Sequence, residues 1–335
     1  MIVERGDYRH PIDRRVFLKG MALGATMPLT AFAVEEPRAE RSSSRSAEGG
    51  KSRVVVAERE PFGNRRNLDR KLVKHAVDAL VMKLSGKGNV DEAWRTFVSP
   101  TETVAIKFNG LFKSASTSPE VIWAVCRGLV DAGVPQEKVI VFDRHKKDFD
   151  TAGIKPFDDL PRIAFREAAA AWDEEVMVGP YKTRLTRILT READAVISIP
   201  CLKHHVIAGV TLAMKNHTGS IPNAGDLHPR IDTIAELNAL PPIAKKSRLA
   251  ICDALMGIYD QGPQFRGSHW TWAAKTLLAS TDVVALDAVG AEMIRKCRVE
   301  KGVGPTIKPV PTHIAHAAEL GLGTADLKEI EIVRV

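Results

Sequence analysis

The strand–helix–strand order in the middle of the chain constrains its fold more than any other feature. Residues 103–108 and 138–142 are short apolar runs of the kind that form buried strands. Between them, Ser118 and Pro119 mark the start of a helix, because Ser suits the N-cap and Pro suits the first turn. This alternation predicts an α/β fold, with a mostly parallel sheet and helices on both of its faces.

Other apolar runs extend the same pattern along the chain. The short runs are expected to be strands, and the longer ones have the spacing of a helix with one apolar side. A glycine-rich loop is predicted over residues 256–267. Further strands are predicted over residues 53–57, 193–199, 248–252, 275–279 and 330–333, and further helices over residues 68–84, 160–172, 282–296 and 314–320.

The amino terminus has the features of an export signal. Residues 13–19 include paired arginines and resemble a twin-arginine signal, and an apolar stretch follows over residues 21–32. Residues 31–33 (Ala-Phe-Ala) have the small-x-small form of a cleavage site, although an uncleaved anchor is the alternative. We therefore expect the twin-arginine translocase as a partner and a periplasmic or otherwise exported location. The expected organisation is a signal peptide at 1–33, a flexible linker at 34–52 and an α/β domain of one or two lobes at 53–335.

Composition narrows the range of partners. Forty-eight basic residues against 41 acidic ones give a net charge of +7, a mild excess that suits an anionic ligand or no particular partner. There is no basic helix with interleaved aromatic residues, so we expect no nucleic-acid partner. No apolar run after the signal is long enough for a stable membrane span. The four cysteines are scattered without a C-x-x-C pair, which disfavours a local iron–sulfur or zinc site.

Residues 194–228 hold the densest group of candidate functional residues. Four of the chain's 10 histidines lie in this segment, where an apolar strand breaks at Pro200 and a small-residue helix is predicted to follow. Ligands of α/β proteins usually bind at such strand ends. Because imidazoles suit transition metals, we expect a metal of unknown identity; the alternative for each histidine is a hydrogen-bonded loop residue. The candidate metal ligands are His204, His205, His217 and His228.

Polar residues at neighbouring strand ends are expected to converge on the same edge of the sheet. Lysines there can hold a carboxylate or a phosphate, although solvated lysines are the usual alternative. The chain lacks the G-x-x-x-x-G-K-[ST] pattern, which disfavours nucleotide hydrolysis. The candidate catalytic residues are Lys203, His205, Lys215 and Asp253, and the candidate cofactor-binding residues are Lys107, Asn109 and Asn216.

At these residues the chain resembles the domain of unknown function 362 family. The matching segments include V-A-I-K-F-N, I-S-I-P-C-L-K-H-H and G-V-T-L-A-M-K-N-H-T-G-S-I, and the resemblance covers most of residues 100–330. It implies that Lys203, His205, Lys215 and Asn216 are the family's motif residues. It also implies an architecture similar to part of the nickel-dependent lactate racemase group. Many members of the family carry ferredoxin-type cysteine clusters, which this chain lacks.

Three functions are compatible with the sequence. The first is a metal-assisted enzyme acting on a small anionic substrate, with lysines binding the substrate and a histidine or Asp253 acting as acid or base. The second is a non-catalytic periplasmic protein that binds a metal or an anion with the same residues. The third is a redox accessory protein, which the missing cysteine motif makes the weakest of the three.

Overall fold

The structure is a computed structural model that describes residues 51–58, 63–64 and 67–335. The predicted signal peptide and nearly all of the predicted linker lie outside the described residues, and Ser52 is the first residue of a strand. The strands are β1 (Ser52–Glu58), β2 (Gly63–Asn64), β3 (Asn67–Leu68), β4 (Val104–Phe108), β5 (Val139–Asp143), β6 (Ala164–Glu167), β7 (Trp172–Val178), β8 (Tyr181–Thr186), β9 (Ala195–Ile199), β10 (Cys201–His205), β11 (Gly209–Thr211), β12 (Ser247–Ile258), β13 (Thr271–Trp272), β14 (Thr276–Ser280) and β15 (Ile330–Arg334).

Local sequence signals explain where the helices begin and end. The first helix starts after Asp69, whose side chain accepts hydrogen bonds from the backbone N–H groups of Lys71 and Leu72. It ends at Gly86, which takes the left-handed conformation (φ 71°) that glycine adopts without strain. The helices are α1 (Arg70–Ser85), α2 (Val90–Arg95), α3 (Pro119–Asp131), α4 (Lys146–Ala152), α5 (Ala213–Asn216), α6 (Thr233–Ala239), α7 (Pro241–Ala244), α8 (Val283–Glu300) and α9 (Thr312–Glu319).

A mixed, mostly parallel sheet forms the centre of the fold. Its main path runs β15-β1-β14-β12-β9-β4-β5-β6, and β10, β11 and β13 are attached beside β12. The steps from β12 through β9, β4 and β5 to β6 are all parallel, whereas β14 is antiparallel to both of its neighbours. The predicted α/β class with a mostly parallel sheet is confirmed.

Both faces of the sheet are covered, because successive strand residues point to opposite sides. In β4, Ile106 packs in the apolar layer formed with α1 and α3, whereas Ala105 packs against the layer that contains the β7–β8 hairpin and α7. In β1, Val54 lies in a third apolar cluster with α8. The parallel strands are therefore buried on both sides, as their uninterrupted apolar sequences require.

The structure differs from the sequence-based predictions in three places. The helix predicted over residues 160–172 is wrong: β6 pairs there with β5, and a short 3₁₀ turn follows it. Residues 201–205, which follow the predicted break at Pro200, form a further strand, because β10 pairs with both β11 and β12. The helix that carries Lys215 has only four residues. No helix in the described part of the chain is long and apolar enough to cross a membrane.

Candidate functional site

A buried ion pair joins the carboxyl ends of β4 and β5. Lys107 Nζ lies 2.6 Å from Asp143 Oδ1, and both side chains are almost fully buried. The same carboxylate accepts hydrogen bonds from the backbone N–H groups of Gly110 (2.6 Å) and Arg144 (2.7 Å). The lysine also donates to the carbonyl oxygen of Phe108. Lys107 is therefore neutralised by protein groups, and its contacts hold two strand ends together.

A chain of amide and ammonium groups links this ion pair to β10. Asn216 Nδ2 donates to the Lys107 carbonyl oxygen (2.9 Å) and to Ser198 Oγ (3.0 Å). Its Oδ1 accepts a hydrogen bond from Asn109 Nδ2 (3.3 Å), and Asn109 Oδ1 accepts one from Lys203 Nζ (2.7 Å). The structure thus brings together all three predicted cofactor-binding residues, and their contacts with one another position Lys203 at the sheet edge.

Strand alternation separates the two adjacent histidines of β10. His204 points away from Lys203 and His205, because neighbouring strand residues face opposite sides of a sheet. Its Nε2 lies 3.1 Å from the Lys308 carbonyl oxygen and 3.7 Å from Asp260. Burial lowers the pKa of His204 below its ordinary value. This side chain belongs to the packing between β10 and the segment before α9.

On the face of β10 opposite His204, the side chains of Lys203 and His205 lie near Lys215 and His228. The ring centroids of His205 and His228 are 5.5 Å apart, and Lys215 Nζ lies 3.4 Å from His228 Nε2. His205 Nδ1 accepts hydrogen bonds from the backbone N–H groups of Ile207 and Ala208, both at 3.1 Å. With Nδ1 accepting, a neutral His205 carries its proton on Nε2. We call His205, Lys215 and His228, together with Lys203, the Lys–His cluster.

The electrostatics of the Lys–His cluster are strongly positive. Burial, with Lys203 and Arg144 nearby, lowers the pKa of Lys215 to about 8. Burial and the Lys215 charge lower the pKa of His205 to about 2, and the same two causes lower the pKa of His228. No carboxylate of the described residues lies within 4.0 Å of Lys215 Nζ. The imidazoles are therefore neutral at pH 7, and the buried ammonium lacks a counter-charge among these groups.

Two residues near Lys215 were not among the sequence-based candidates. His313, in the first turn of α9, is fully buried, and neither of its ring nitrogens has a hydrogen-bond partner. Burial and the Lys215 charge lower its pKa to about 3. Arg144 follows β5 directly, and its buried Nε also has no partner. The strand-end rule could have found Arg144, whereas only the tertiary structure places His313 near the site.

The other predicted site residues serve different parts of the fold. His217 is buried, and burial together with the Lys107 charge lowers its pKa to about 3. Asp253 accepts hydrogen bonds from the backbone N–H groups of Ser118 (2.7 Å) and Leu255 (3.1 Å), so it caps the start of α3. Cys201 packs 3.6 Å from Thr117 Oγ1.

The predicted four-histidine metal site is not assembled in this structure. Of the four histidines, His205 and His228 are in ring contact, whereas His204 and His217 make separate contacts. Within residues 51–58, 63–64 and 67–335, no group of three or more His, Cys, Asp or Glu side chains could hold a metal ion. The arrangement at the Lys–His cluster instead suits an anion, because ammonium groups are hydrogen-bond donors that attract negative charge.

The model of the domain of unknown function 362 family matches residues 104–292. The chain belongs to this family. The matched range contains both the Lys107–Asp143 ion pair and the whole Lys–His cluster. Membership confirms the family resemblance noted in the sequence, but the family description names no reaction.

Two further proteins resemble this chain. The thylakoid-associated protein sll1697 of Synechocystis sp. is 25% identical over 280 residues, which cover 76% of this chain and 83% of that protein. A solved structure of a protein from Thermotoga maritima matches with a TM-score of 0.34 and 14% identity. That match covers 58% of this chain and 51% of the other chain. The likeness to the lactate racemase group stays a prediction.

Proposed function

We propose that this chain is an exported enzyme that binds a small anionic substrate, a carboxylate or a phosphate, at the Lys–His cluster. The observation that carries the proposal is the buried Lys215 ammonium. Among the described residues, the charges that act on it are the positive ones of Lys203 and Arg144, and its hydrogen-bond partner is a neutral imidazole. A buried charge without a counter-charge is unfavourable, and a bound anion would relieve that cost.

The same groups are suited to moving a proton on the bound substrate. Lys215 has a pKa of about 8 in the ligand-free protein, and a bound anion raises it, so the ammonium stays protonated near neutral pH and can donate a proton to the substrate. His228 Nε2 lies 3.4 Å from Lys215 Nζ and, as a neutral imidazole, can accept a proton from the substrate. Lys203 and the amide chain behind it would orient the anion. The proposed reaction class is therefore proton transfer on a small acid.

A transition metal is the second form of this proposal. His205 and His228 are two imidazoles in ring contact, and the remaining ligand positions would be filled by substrate or water. His205 would have to release its Nε2 proton to bind a metal, because its Nδ1 accepts two backbone hydrogen bonds. The Lys215 ammonium beside His228 opposes a cation, which is why the anion comes first in our proposal. Export through the twin-arginine translocase is proposed from residues 13–19.

Calorimetric titration of the full chain with inorganic phosphate and with L-lactate tests the proposal. We expect binding of at least one probe, and a loss of about tenfold or more in affinity in Lys215→Met, which corresponds to about 1.4 kcal/mol. The matched control is Lys182→Met, an exposed lysine whose side chain is 73% accessible. Equal affinities in wild type and Lys215→Met would contradict the proposal.

Two additional measurements separate the alternatives. Turnover on a panel of small carboxylic and phosphorylated acids distinguishes an enzyme from a non-catalytic binding protein. Metal analysis of protein recovered after export, in wild type and in His205→Ala, tests the metal form. Stoichiometric metal that disappears in His205→Ala, with phosphate and lactate binding absent, would favour the metal over the anion.

A further inference from the structure

Exposed apolar side chains collect on three loop segments at one end of the sheet. The segments are the β10–β11 turn, the loop after β12 and the residues before α9. Their exposed members are 40% to 61% accessible, which is high for large apolar residues. We define the apolar rim as Val206, Ile207, Phe265 and Val310.

Direct contacts join the three segments into one surface. The backbone N–H of Val206 donates to the Gly262 carbonyl oxygen at 3.0 Å, which fixes the turn against the loop after β12. A Cβ on Gly209 would lie 2.5 Å from the Pro309 carbonyl oxygen, so the turn also packs closely on the residues before α9. Because β10 and β12 are parallel and both end here, the rim occupies the same sheet edge as the candidate site.

The exposed charges within the three rim segments are positive. Arg266 follows Phe265, Lys308 lies two residues before Val310, and both side chains are exposed. The single acid in residues 205–209, 259–267 and 308–311 is Asp260. It is largely buried and lies 3.0 Å from Arg298 Nη1. The rim therefore presents apolar tips with a positive border.

We propose that the apolar rim docks on an anionic lipid surface, with Phe265 and Val310 entering the interface and Arg266 and Lys308 contacting headgroups. Apolar groups flanked by basic side chains are the combination that binds peripheral proteins to anionic bilayers. Docking in this orientation turns the sheet edge that carries the Lys–His cluster towards the lipid. The proposal is independent of the reaction proposed for that cluster.

Charge and shape favour lipid over the other occupants. A second copy of the chain would bring Arg266 and Lys308 against the same basic residues, because a two-fold interface pairs identical surfaces. Single-stranded nucleic acid is held by aromatic stacking along a basic groove, whereas three of the four rim residues are aliphatic. A bilayer accepts separate apolar tips without requiring a flat complementary surface.

Vesicle co-sedimentation of the full chain tests the docking. Vesicles contain phosphatidylcholine alone or with phosphatidylserine, at low and high salt. We expect binding to the anionic vesicles that falls with salt, and a loss of about tenfold in Phe265→Ser/Val310→Ser. The matched control is Met177→Ser/Val299→Ser, which removes two apolar side chains of comparable exposure from β7 and α8. The amino terminus is identical in all these proteins, so it cannot produce a difference between them.

A position-specific probe gives a second readout. All four native cysteines are buried, so a polarity-sensitive dye can be attached selectively at Phe265→Cys or at Met177→Cys. We expect a blue shift with anionic vesicles at position 265 and none at position 177. Equal vesicle binding by the rim variant and wild type, or no shift at position 265, would overturn the proposal. Self-association that the rim variant abolishes without a change in vesicle binding would also overturn it.

Discussion

The Lys107–Asp143 ion pair provides the strongest stability test, because its two members are nearly inaccessible to water. Asp143→Ala removes the carboxylate and leaves the Lys107 ammonium buried, with carbonyl and amide oxygens as its remaining partners. Breaking a buried pair from one side typically destabilises a protein by about 3–5 kcal/mol. The change also removes the acceptor of two backbone N–H groups, so we expect the upper part of that range.

Urea unfolding at pH 7 measures this loss, with Asp150→Ala as the matched control. Asp150 pairs with Lys146 at 3.4 Å on the surface, where removing a partner changes stability by about 0–1 kcal/mol. The double variant Lys107→Met/Asp143→Leu should recover more than half of the loss, because it leaves no unpaired charge. A loss below about 1 kcal/mol in Asp143→Ala would refute the argument that the pair holds β4 and β5 together.

Two further predictions concern stability. The folded-state pKa of Lys215 is lowered from 10.5 to about 8, so the unfolded chain holds this proton more tightly and stability should rise with pH between those values. Lys215→Met should remove that rise and stabilise the ligand-free protein by about 3 kcal/mol at pH 7. Urea unfolding at several pH values measures both effects. If the unfolding free energy of Lys215→Met rises with pH as steeply as that of wild type, the lowered pKa is contradicted. Asp253→Ala should lower the free energy of unfolding by about 1–2 kcal/mol, because it removes the cap of α3, and Asp253→Asn should lower it less. Equal unfolding midpoints for wild type and Asp253→Ala would argue against capping.

The strands of the central sheet could be predicted because they are buried on both faces. The apolar run over residues 138–142 corresponds to β5 (Val139–Asp143), and the run over 103–108 corresponds to β4. Alanine-rich residues 168–171 have a high local propensity for helix, but residues 164–167 pair with β5 at the sheet edge and residues 168–170 form only a 3₁₀ turn. Pairing between segments that are distant in sequence cannot be predicted from the local sequence of either segment.

Convergence at the sheet edge could be predicted in part. Lys107, Asn109 and Lys203 meet in one hydrogen-bonded chain, as their positions at strand ends suggested, and Asn216 of α5 completes the chain. The sequence did not indicate that the four histidines are separated. Residues 201–205 pair as a strand, and this pairing places His204 on the opposite face from His205. His313, almost 100 residues from Lys215 in sequence, enters the site only through the packing of α9.

The most direct test of the anion proposal is the pKa of Lys215 itself, measured by NMR on protein with labelled lysine side chains. Lys215→Met assigns the signal, and the spectrum is followed over pH without ligand and with saturating phosphate or L-lactate. We expect a pKa of about 8 without ligand and an increase of at least one unit when an anion binds beside the ammonium. A Lys215 pKa near 10.5 in the free protein, or the same value with and without both anions, would contradict it.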